Sequence, residues 1–446
     1  MTEHPHLAVE YAELYHESLK DEVKFARKIL GFHPYQYQEA FLRDRSPFIA
    51  ACCGRQVGKT TLAAIKALHF ALANPQTLVL IVSAGLRQSI ILFDKILALT
   101  ESSLATRILL TYKSRTKVQF ANGSQIVALP CGRDGSTLRG FTADMAILDE
   151  ANFIPRIVID SVIRPTTLTR PEARIVMLST PWTKDHPFYE AMTKPEQEFK
   201  TYSWPSSMNP QITKQRLEIE KKTSGEYNFN REFNAQFVDD QFSYFPGKLV
   251  LECADDYELD PEPRPGETHR GEYYIGIDFG KHTDPSTIAI TQAQPDHSLR
   301  VTYLREFPLQ TPYTGVIGTV RNLNTAYHFR GGYLDETGVG EAPYEQIREF
   351  APSIKGIKFT TNTKQDILGK LRLTMENGDV TIPREPRNLL IQLTQQQCEP
   401  TPQGNLKFTH PAGTHDDLAW AFALAVYAYQ GPRDWMGMVI GARRPT

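Results

Sequence analysis

The sequence predicts an α/β protein of two successive domains, the first on a largely parallel sheet and the second on a mixed sheet. Three observations predict it. From about residue 45 to 205, apolar strand-like runs alternate with helical stretches, the rhythm of helices packed on a parallel sheet. Three prolines and a glycine then crowd Leu259-Asp260-Pro261-Glu262-Pro263-Arg264-Pro265-Gly266-Glu267, the composition of a linker. Beyond it a second rhythm begins, with three strands in succession before helices return.

The elements follow in order. Residues 1–30 read as a helical lead-in of mixed charge and 31–205 as the first domain. There the apolar 48–51 reads as a strand and 61–68 as the helix after it, with further strands at 78–83, 117–120, 125–129, 145–148 and 174–179. Residues 206–258 are polar and helix-leaning, a connector or lid, and 259–270 form the linker. The second domain, 271–432, has expected strands at 273–277, 287–291, 299–306 and 332–335. Its expected helices are 316–327, 342–350, 363–376 and 415–429, and 433–446 is a tail carrying Arg443-Arg444.

Bulk properties narrow the function class. The net charge of −2 gives no global positive field, so any grip on nucleic acid must be a local patch. Five cysteines, an odd number without paired C-x-x-C spacing, argue against a disulfide framework or structural zinc. Cys52 and Cys53 are expected as small packing residues. The N-terminus Met1-Thr2-Glu3-His4-Pro5 is polar, and the longest apolar stretch, 418–427, is too short to span a bilayer. A reducing cytoplasm and no membrane partner are the expectation.

Two constellations carry chemistry. In the first, Gly54-Arg55-Gln56-Val57-Gly58-Lys59-Thr60 lies between a strand and a helix, where backbone N–H groups can turn toward one phosphate. Lys59 would neutralise the β- and γ-phosphates of ATP and Thr60 would sit on Mg²⁺, with Thr61 following in the helix. Cys53 stands where the usual pattern has its first glycine. Asp149 and Glu150 close the apolar run Met145-Ala146-Ile147-Leu148, offering a magnesium carboxylate and an adjoining base.

In the second constellation, Asp278 ends one strand, Asp335 ends another, and Asp416 and Asp417 open an apolar helix. Carboxylates brought together would repel unless protonated or bridged by metal. Two divalent ions could clamp a phosphodiester for attack by water. The glycines of Gly338-Val339-Gly340 would allow close backbone approach behind Asp335. The plainer readings are a helix-dipole carboxylate for Asp416 and turn acids for Asp335 and Glu336. A rival reading takes Ile275-Gly276-Ile277-Asp278-Phe279-Gly280 as the phosphate loop of an actin- or Hsp70-like ATPase, which leaves His415-Asp416-Asp417 without a role.

This order of motifs resembles the large terminase subunit of tailed double-stranded DNA phages, from about residue 31 to 430. Arg55-Gln56-Val57-Gly58-Lys59-Thr60 looks like that family's variant phosphate loop, in which the first glycine is often missing. Leu138-Arg139-Gly140 is similar to the tripeptide before its Walker B strand, and Leu178-Ser179-Thr180-Pro181 to its coupling motif. Gln38 looks like its adenine-reading glutamine, with Gln36 the alternative. Lys364 resembles a basic position after its second aspartate.

The resemblance implies an ASCE/RecA-like P-loop ATPase domain followed by an RNase H-like nuclease domain with Mg²⁺, or Mn²⁺, at its acidic centre. It also implies ATP-driven packaging of double-stranded DNA into a procapsid, with cutting at the start and end. Implied partners are the portal protein, the small terminase subunit and a homo-oligomeric ring on the procapsid, in the cytoplasm of an infected bacterium and not in the mature virion. Either Arg55 or Arg139 would be the arginine finger, and Ser179 and Thr180 would sense the γ-phosphate. A helicase-nuclease would need a second RecA-like domain. A DNA-binding scaffold without cutting activity is the competing class outside enzymes.

Overall fold

The computed structural model describes residues 13–194, 198–238, 243–280, 284–337, 340–400, 406–411 and 413–429. Arg443-Arg444, Gly338 and Val339, and the first residues of the lead-in lie outside the described residues. The chain divides into two compact units between Asp239 and Asp240.

The first unit is built on eight strands: β1 (Phe48–Cys53), β2 (Leu78–Ser83), β3 (Leu110–Lys113), β4 (Lys117–Phe120), β5 (Gln125–Pro130), β6 (Met145–Asp149), β7 (Arg174–Ser179) and β8 (Lys200–Trp204). Their order is β3-β4-β5-β2-β6-β7-β1-β8. The six strands from β5 to β8 are parallel, and β3 and β4 add antiparallel at one edge. β1, β2, β6 and β7 are near-continuous apolar runs because the sheet is covered on both faces. β3 and β8 were not legible, since their exposed, polar positions do not form an apolar run.

Helix α1 (Gln36–Arg43), α2 (Lys59–Ala73) and α3 (Leu86–Ser102) flank this sheet. The lead-in is not a separate appendage. Val23, Phe25, Ala26 and Ile29 are buried in the same core as Phe41, Leu62 and Val79. A long helix, α4 (Lys214–Glu232), departs from helical geometry at Gly225 and returns toward the phosphate loop.

The second unit holds β9 (Ala254–Asp255), β10 (Glu272–Asp278), β11 (Thr287–Ala293), β12 (Leu299–Glu306), β13 (Gly331–Asp335), β14 (Ile354–Ile357) and β15 (Val380–Pro383). The order is β14-β13-β10-β11-β12-β15-β9. β10, β11 and β12 form an antiparallel meander, while β13 runs parallel to β10 and β14 parallel to β13. This is an RNase H-like mixed sheet. Helices α5 (Tyr313–Tyr327), α6 (Glu341–Phe350), α7 (Thr361–Glu376), α8 (Asn388–Gln395) and α9 (Asp417–Ala428) complete it, with a hairpin of β16 (Gln397–Pro400) and β17 (Leu406–Thr409).

The proline-rich stretch is not where the units part. Asp260 N–H donates to Thr302 O at 2.7 Å, Tyr327 Oη donates to Asp260 Oδ2 at 3.2 Å, and Tyr257 Oη donates to Val301 O at 2.8 Å. Those bonds strap 257–260 onto the second sheet, and β9 upstream already pairs with β15. The boundary expected at 259–270 therefore moves upstream, and the expected connector 206–258 is shared between the units. Proline here serves an edge strap, because a segment that lacks N–H donors loses little by lying outside a ladder.

Candidate active sites

In the first unit, parallel strands bring their carboxyl ends to one edge, and the loops leaving them converge there. β1 delivers the loop 54–58 and then α2, whose N-terminal cap is Gly58 in the left-handed region. Gly54 has a packing reason. A Cβ there would lie 2.6 Å from Phe233 O and 2.8 Å from Ser206 N. Around it the loop is held from outside: Ser206 Oγ donates to Arg55 O at 2.7 Å and Asn209 Nδ2 to Gln56 O at 2.7 Å.

β6 places Asp149 and Glu150 beside that loop. Lys59 Nζ is bonded to Glu150 Oε1 and lies 3.9 Å from Asp149 Oδ1. Burial alone would lower the Lys59 ammonium, but Glu150 and Asp149 outweigh it and hold the pKa above its ordinary value. The lysine therefore stays charged. From β7, Ser179 Oγ and Thr180 Oγ1 reach Glu150 Oε2 at 3.4 and 3.5 Å. Thr60 and Thr61 follow Lys59 in the first turn of α2.

The remaining first-unit expectations resolve differently. Gln38 is buried, and its amide hydrogens go to Val57 O at 3.0 Å and Tyr37 Oη at 3.1 Å. Its Oε1 accepts from Tyr35 N–H at 2.9 Å. It thus braces the phosphate loop and the start of α1. Gln36 is exposed. Arg55 is half exposed and its Nε donates to Glu232 Oε2 at 2.7 Å. Arg139 is exposed on the loop after β5, at the same edge of the sheet. Cys52 and Cys53 are buried, and burial pushes the Cys52 thiol up to about 12, consistent with packing rather than reactivity.

Two residues of this site carried no sequence signal. Glu232 closes α4 inside a polar stretch with no recognisable pattern. Asn152 is fully buried: its Oδ1 accepts from Trp182 N–H at 2.9 Å and Thr183 N–H at 2.8 Å, and its own N–H donates to Ser179 Oγ at 3.2 Å. It fixes the chain leaving β7 against the chain leaving β6.

In the second unit, Asp278 and Asp335 close neighbouring parallel strands in register, Ile277 opposite Leu334. α9 lies directly across β10. A Cβ on Gly276 would fall 1.9 Å from Ala421 O, so only glycine lets the helix backbone approach this closely. That approach brings Asp416 and Asp417 to the same strand ends.

Electrostatics register the convergence. Burial first, then Asp417, Asp335 and Asp416, push the Asp278 carboxyl well above its ordinary range, against the pull of Lys364. Burial likewise raises Asp335, whose Oδ1 accepts from Thr337 N–H at 2.8 Å. Asp417 is pushed up to about 8, by burial first and then by Asp284 and Asp416. Lys364 lies 5.1 Å from the Trp420 ring, and Trp420 Nε1 donates to Asp416 Oδ2 at 3.0 Å.

Asp416 occupies the N-cap position of α9 but makes no capping hydrogen bond there. Gln392 Oε1 instead accepts from Leu418 N–H at 2.7 Å and Ala419 N–H at 3.1 Å. Asp416 itself accepts from Trp420 Nε1, with His410 Nε2 3.8 Å from its other oxygen.

Asp284, outside the sequence's candidates, and His415, which the sequence offers only as part of His415-Asp416-Asp417, both join the cluster. His415 Nδ1 lies 3.5 Å from Asp284 Oδ1 and 3.7 Å from Asp417 Oδ2. Asp417 Oδ2 is buried with no hydrogen-bond partner. Oxygen donors with one imidazole, and an orphaned carboxylate oxygen among them, fit a hard divalent cation.

Comparisons with known proteins return terminase large subunits. The family model described as "Terminase large subunit, T4likevirus-type, N-terminal" matches residues 51–251. The large terminase subunit of Thermus virus P23-45 is 27% identical over 474 residues, covering 94% of this chain and 92% of that protein. The large subunit of Thermus phage G20c matches with the same identity and coverage. Among solved structures, the HK97 bacteriophage large terminase aligns with a TM-score of 0.43 and 13% identity over 92% of this chain and 99% of that chain. No described helix is long and apolar enough to cross a membrane. Matched by the family model over residues 51–251, and along nearly its whole length by two large subunits at 27% identity, the chain is similar to the terminase large subunits.

Proposed function

We propose that this chain is the catalytic subunit of a viral DNA-packaging motor. On this reading, ATP hydrolysis in the first unit moves double-stranded DNA into a procapsid, and the second unit cuts the DNA as a metal-dependent endonuclease. The observation that carries it is the pairing of two separate centres in one chain: Lys59 with Asp149 and Glu150, and Asp278 with Asp335, Asp416 and Asp417.

In the ATPase, Lys59 and Thr60 would hold the phosphates and Mg²⁺, with Asp149 as a further carboxylate for the ion. Glu150 now neutralises Lys59. A triphosphate competing for the lysine would release Glu150 to orient and deprotonate water. Ser179 and Thr180, touching Glu150, are placed to register that exchange. Arg55 and Arg139 remain the two candidates for stabilising transition-state charge. Arg55 would have to leave Glu232 to act in cis, and Arg139 is exposed and free to reach a neighbouring subunit in a ring.

In the nuclease, Asp278, Asp335, Asp416 and Asp417 would hold Mg²⁺ or Mn²⁺, with Asp284 and His415 beside them. When bound, such ions would supply charge stabilisation to a phosphodiester under attack by water. Trp420, with Lys364 over its ring, orients Asp416. Portal protein, small subunit and a ring of copies on the procapsid complete the proposed assembly, in the cytoplasm of the infected host.

The test is plasmid incubated with purified protein and Mg²⁺ or Mn²⁺, comparing wild type, Asp278→Ala and Glu150→Ala. Cleavage lost in Asp278→Ala and kept in Glu150→Ala, with ATP turnover showing the reverse, is the expected result. Cleavage that survives Asp278→Ala would sink the nuclease assignment.

A further inference from the structure

At the amino-terminal edge of the first sheet, opposite the phosphate loop, lies a cavity of about 260 Å³. Its floor includes Met145 and Arg174, the first residues of β6 and β7, and its wall includes Lys66, His69 and Phe70 of α2. Four cationic side chains, Lys20, Arg45, Lys66 and Arg174, line it against one carboxylate, Glu22.

Most of these groups are committed within the fold. Glu22 is paired with Arg45 at 3.0 Å. Lys66 is almost wholly buried and donates to Phe41 O, Leu42 O and Asp44 O at 3.0, 3.2 and 2.6 Å, so it satisfies the carbonyl end of α1 while keeping its charge beside the cavity. His69 Nε2 meets Leu19 O at 3.0 Å. Arg174 is the exception. Its guanidinium lies over the Phe70 ring at 5.3 Å, and among the described residues it has no hydrogen bond or ion pair. A planar fork of donors therefore stands at the cavity with its geometry fixed by an aromatic face.

The neighbouring charges make this costly without a counter-ion. Burial lowers the pKa of both Lys66 and Arg174; Glu22 opposes it first, Arg45 (and Arg174 at Lys66) adds to the lowering, and Asp44, with Glu172 at Arg174, opposes it further. The volume is below the roughly 300–1,000 Å³ of drug-sized sites. It suits a compact, multiply charged anion with several acceptor oxygens, the partner a guanidinium fork matches.

We propose that this cavity binds a phosphate-class oxyanion, distinct from the nucleotide at the phosphate loop, with Arg174 as its principal ligand. α2 carries Lys59 at its first residue, Lys66 at its middle and His69 and Phe70 toward its end, so an anion here loads the same helix that holds the nucleotide phosphates. The phosphate could arrive free or as part of a DNA backbone, and the experiment separates these sources.

Full-length protein carrying Lys59→Ala, which disables the phosphate loop, is titrated calorimetrically with inorganic pyrophosphate and separately with a short DNA duplex. Pyrophosphate binding that survives Lys59→Ala and weakens at least tenfold on adding Arg174→Gln supports a free oxyanion. Duplex binding alone weakened by Arg174→Gln supports a backbone phosphate. Arg174→Lys, which keeps the charge and loses the fork, should weaken either ligand less than Arg174→Gln, and it reads the site should the glutamine variant fail to fold. Two results overturn the proposal: no binding of either probe once Lys59 is replaced, or binding that Arg174→Gln and Arg174→Lys both leave unchanged.

Discussion

Replacing Asp417 by asparagine should stabilise the metal-free protein at neutral pH while abolishing its response to metal. Asp417 is 7% exposed, and its carboxyl is raised from 3.8 to about 8. The sign follows from which state holds the proton. A carboxyl whose folded pKa is raised favours the fold fully below about 4, and that contribution is lost as pH rises toward about 8. At pH 7 the folded chain keeps a proton that the unfolded chain has released. At about 1.4 kcal/mol per pH unit, over the three or so units above 3.8, the cost is about 4 kcal/mol. Asparagine removes that cost but leaves an amide where Asp417 Oδ2 has no partner, at about 1–3 kcal/mol. The net gain is about 2 kcal/mol, or about 4–8 °C for a unit of this size. The assay is scanning calorimetry of the full chain without nucleotide, at pH 5 and 7, with and without Mg²⁺. Hydrogen exchange across β10 assigns the transition to the second unit. The gain should be present at pH 7 without metal, shrink at pH 5, and reverse with saturating Mg²⁺, where only wild type is stabilised. A metal-free Asp417→Asn protein less stable than wild type at pH 7 would refute the electrostatic account.

Asn152→Ala should lower kcat for ATP at least tenfold with little change in KM, because the buried Trp182 and Thr183 N–H groups lose their acceptor and the Ser179–Glu150 contact loses register; steady-state kinetics read the split, and a rise in KM alone would contradict it. Arg55→Ala and Arg139→Ala should separate on mixing. The true finger costs about 10³ or more in turnover, and only an Arg139 acting in trans regains activity when mixed with Glu150→Ala subunits, so absence of rescue assigns the role in cis. Gly276→Ala should destabilise the second unit by about 3 kcal/mol or more, because the new Cβ meets helix backbone at 1.9 Å rather than a movable side chain. Plasmid cleavage should fall while ATP turnover persists, and equal loss of both activities would contradict it.

Local chemistry leaves its mark directly in the order of residues. Buried parallel strands are continuous apolar runs, so β1, β2, β6 and β7 were legible with the loops that follow them. A phosphate loop must place glycine, lysine and threonine in succession, and carboxylates that end strands stand out against apolar neighbours, so Lys59, Asp149, Glu150, Asp278, Asp335, Asp416 and Asp417 stand out as candidates in the residues alone. Strand order, and whether a residue's partner lies far along the chain, were decided only in three dimensions. Glu232 meets Arg55 because α4 returns across the unit, Gln392 caps α9 from another helix, and Asp284 and His415 reach Asp417 only once Gly276 lets that helix lie on β10. Even the boundary misread at the prolines has this cause. Composition shows that a segment avoids a ladder, whereas hydrogen bonds to Thr302, Tyr327 and Val301 decide to which unit it belongs.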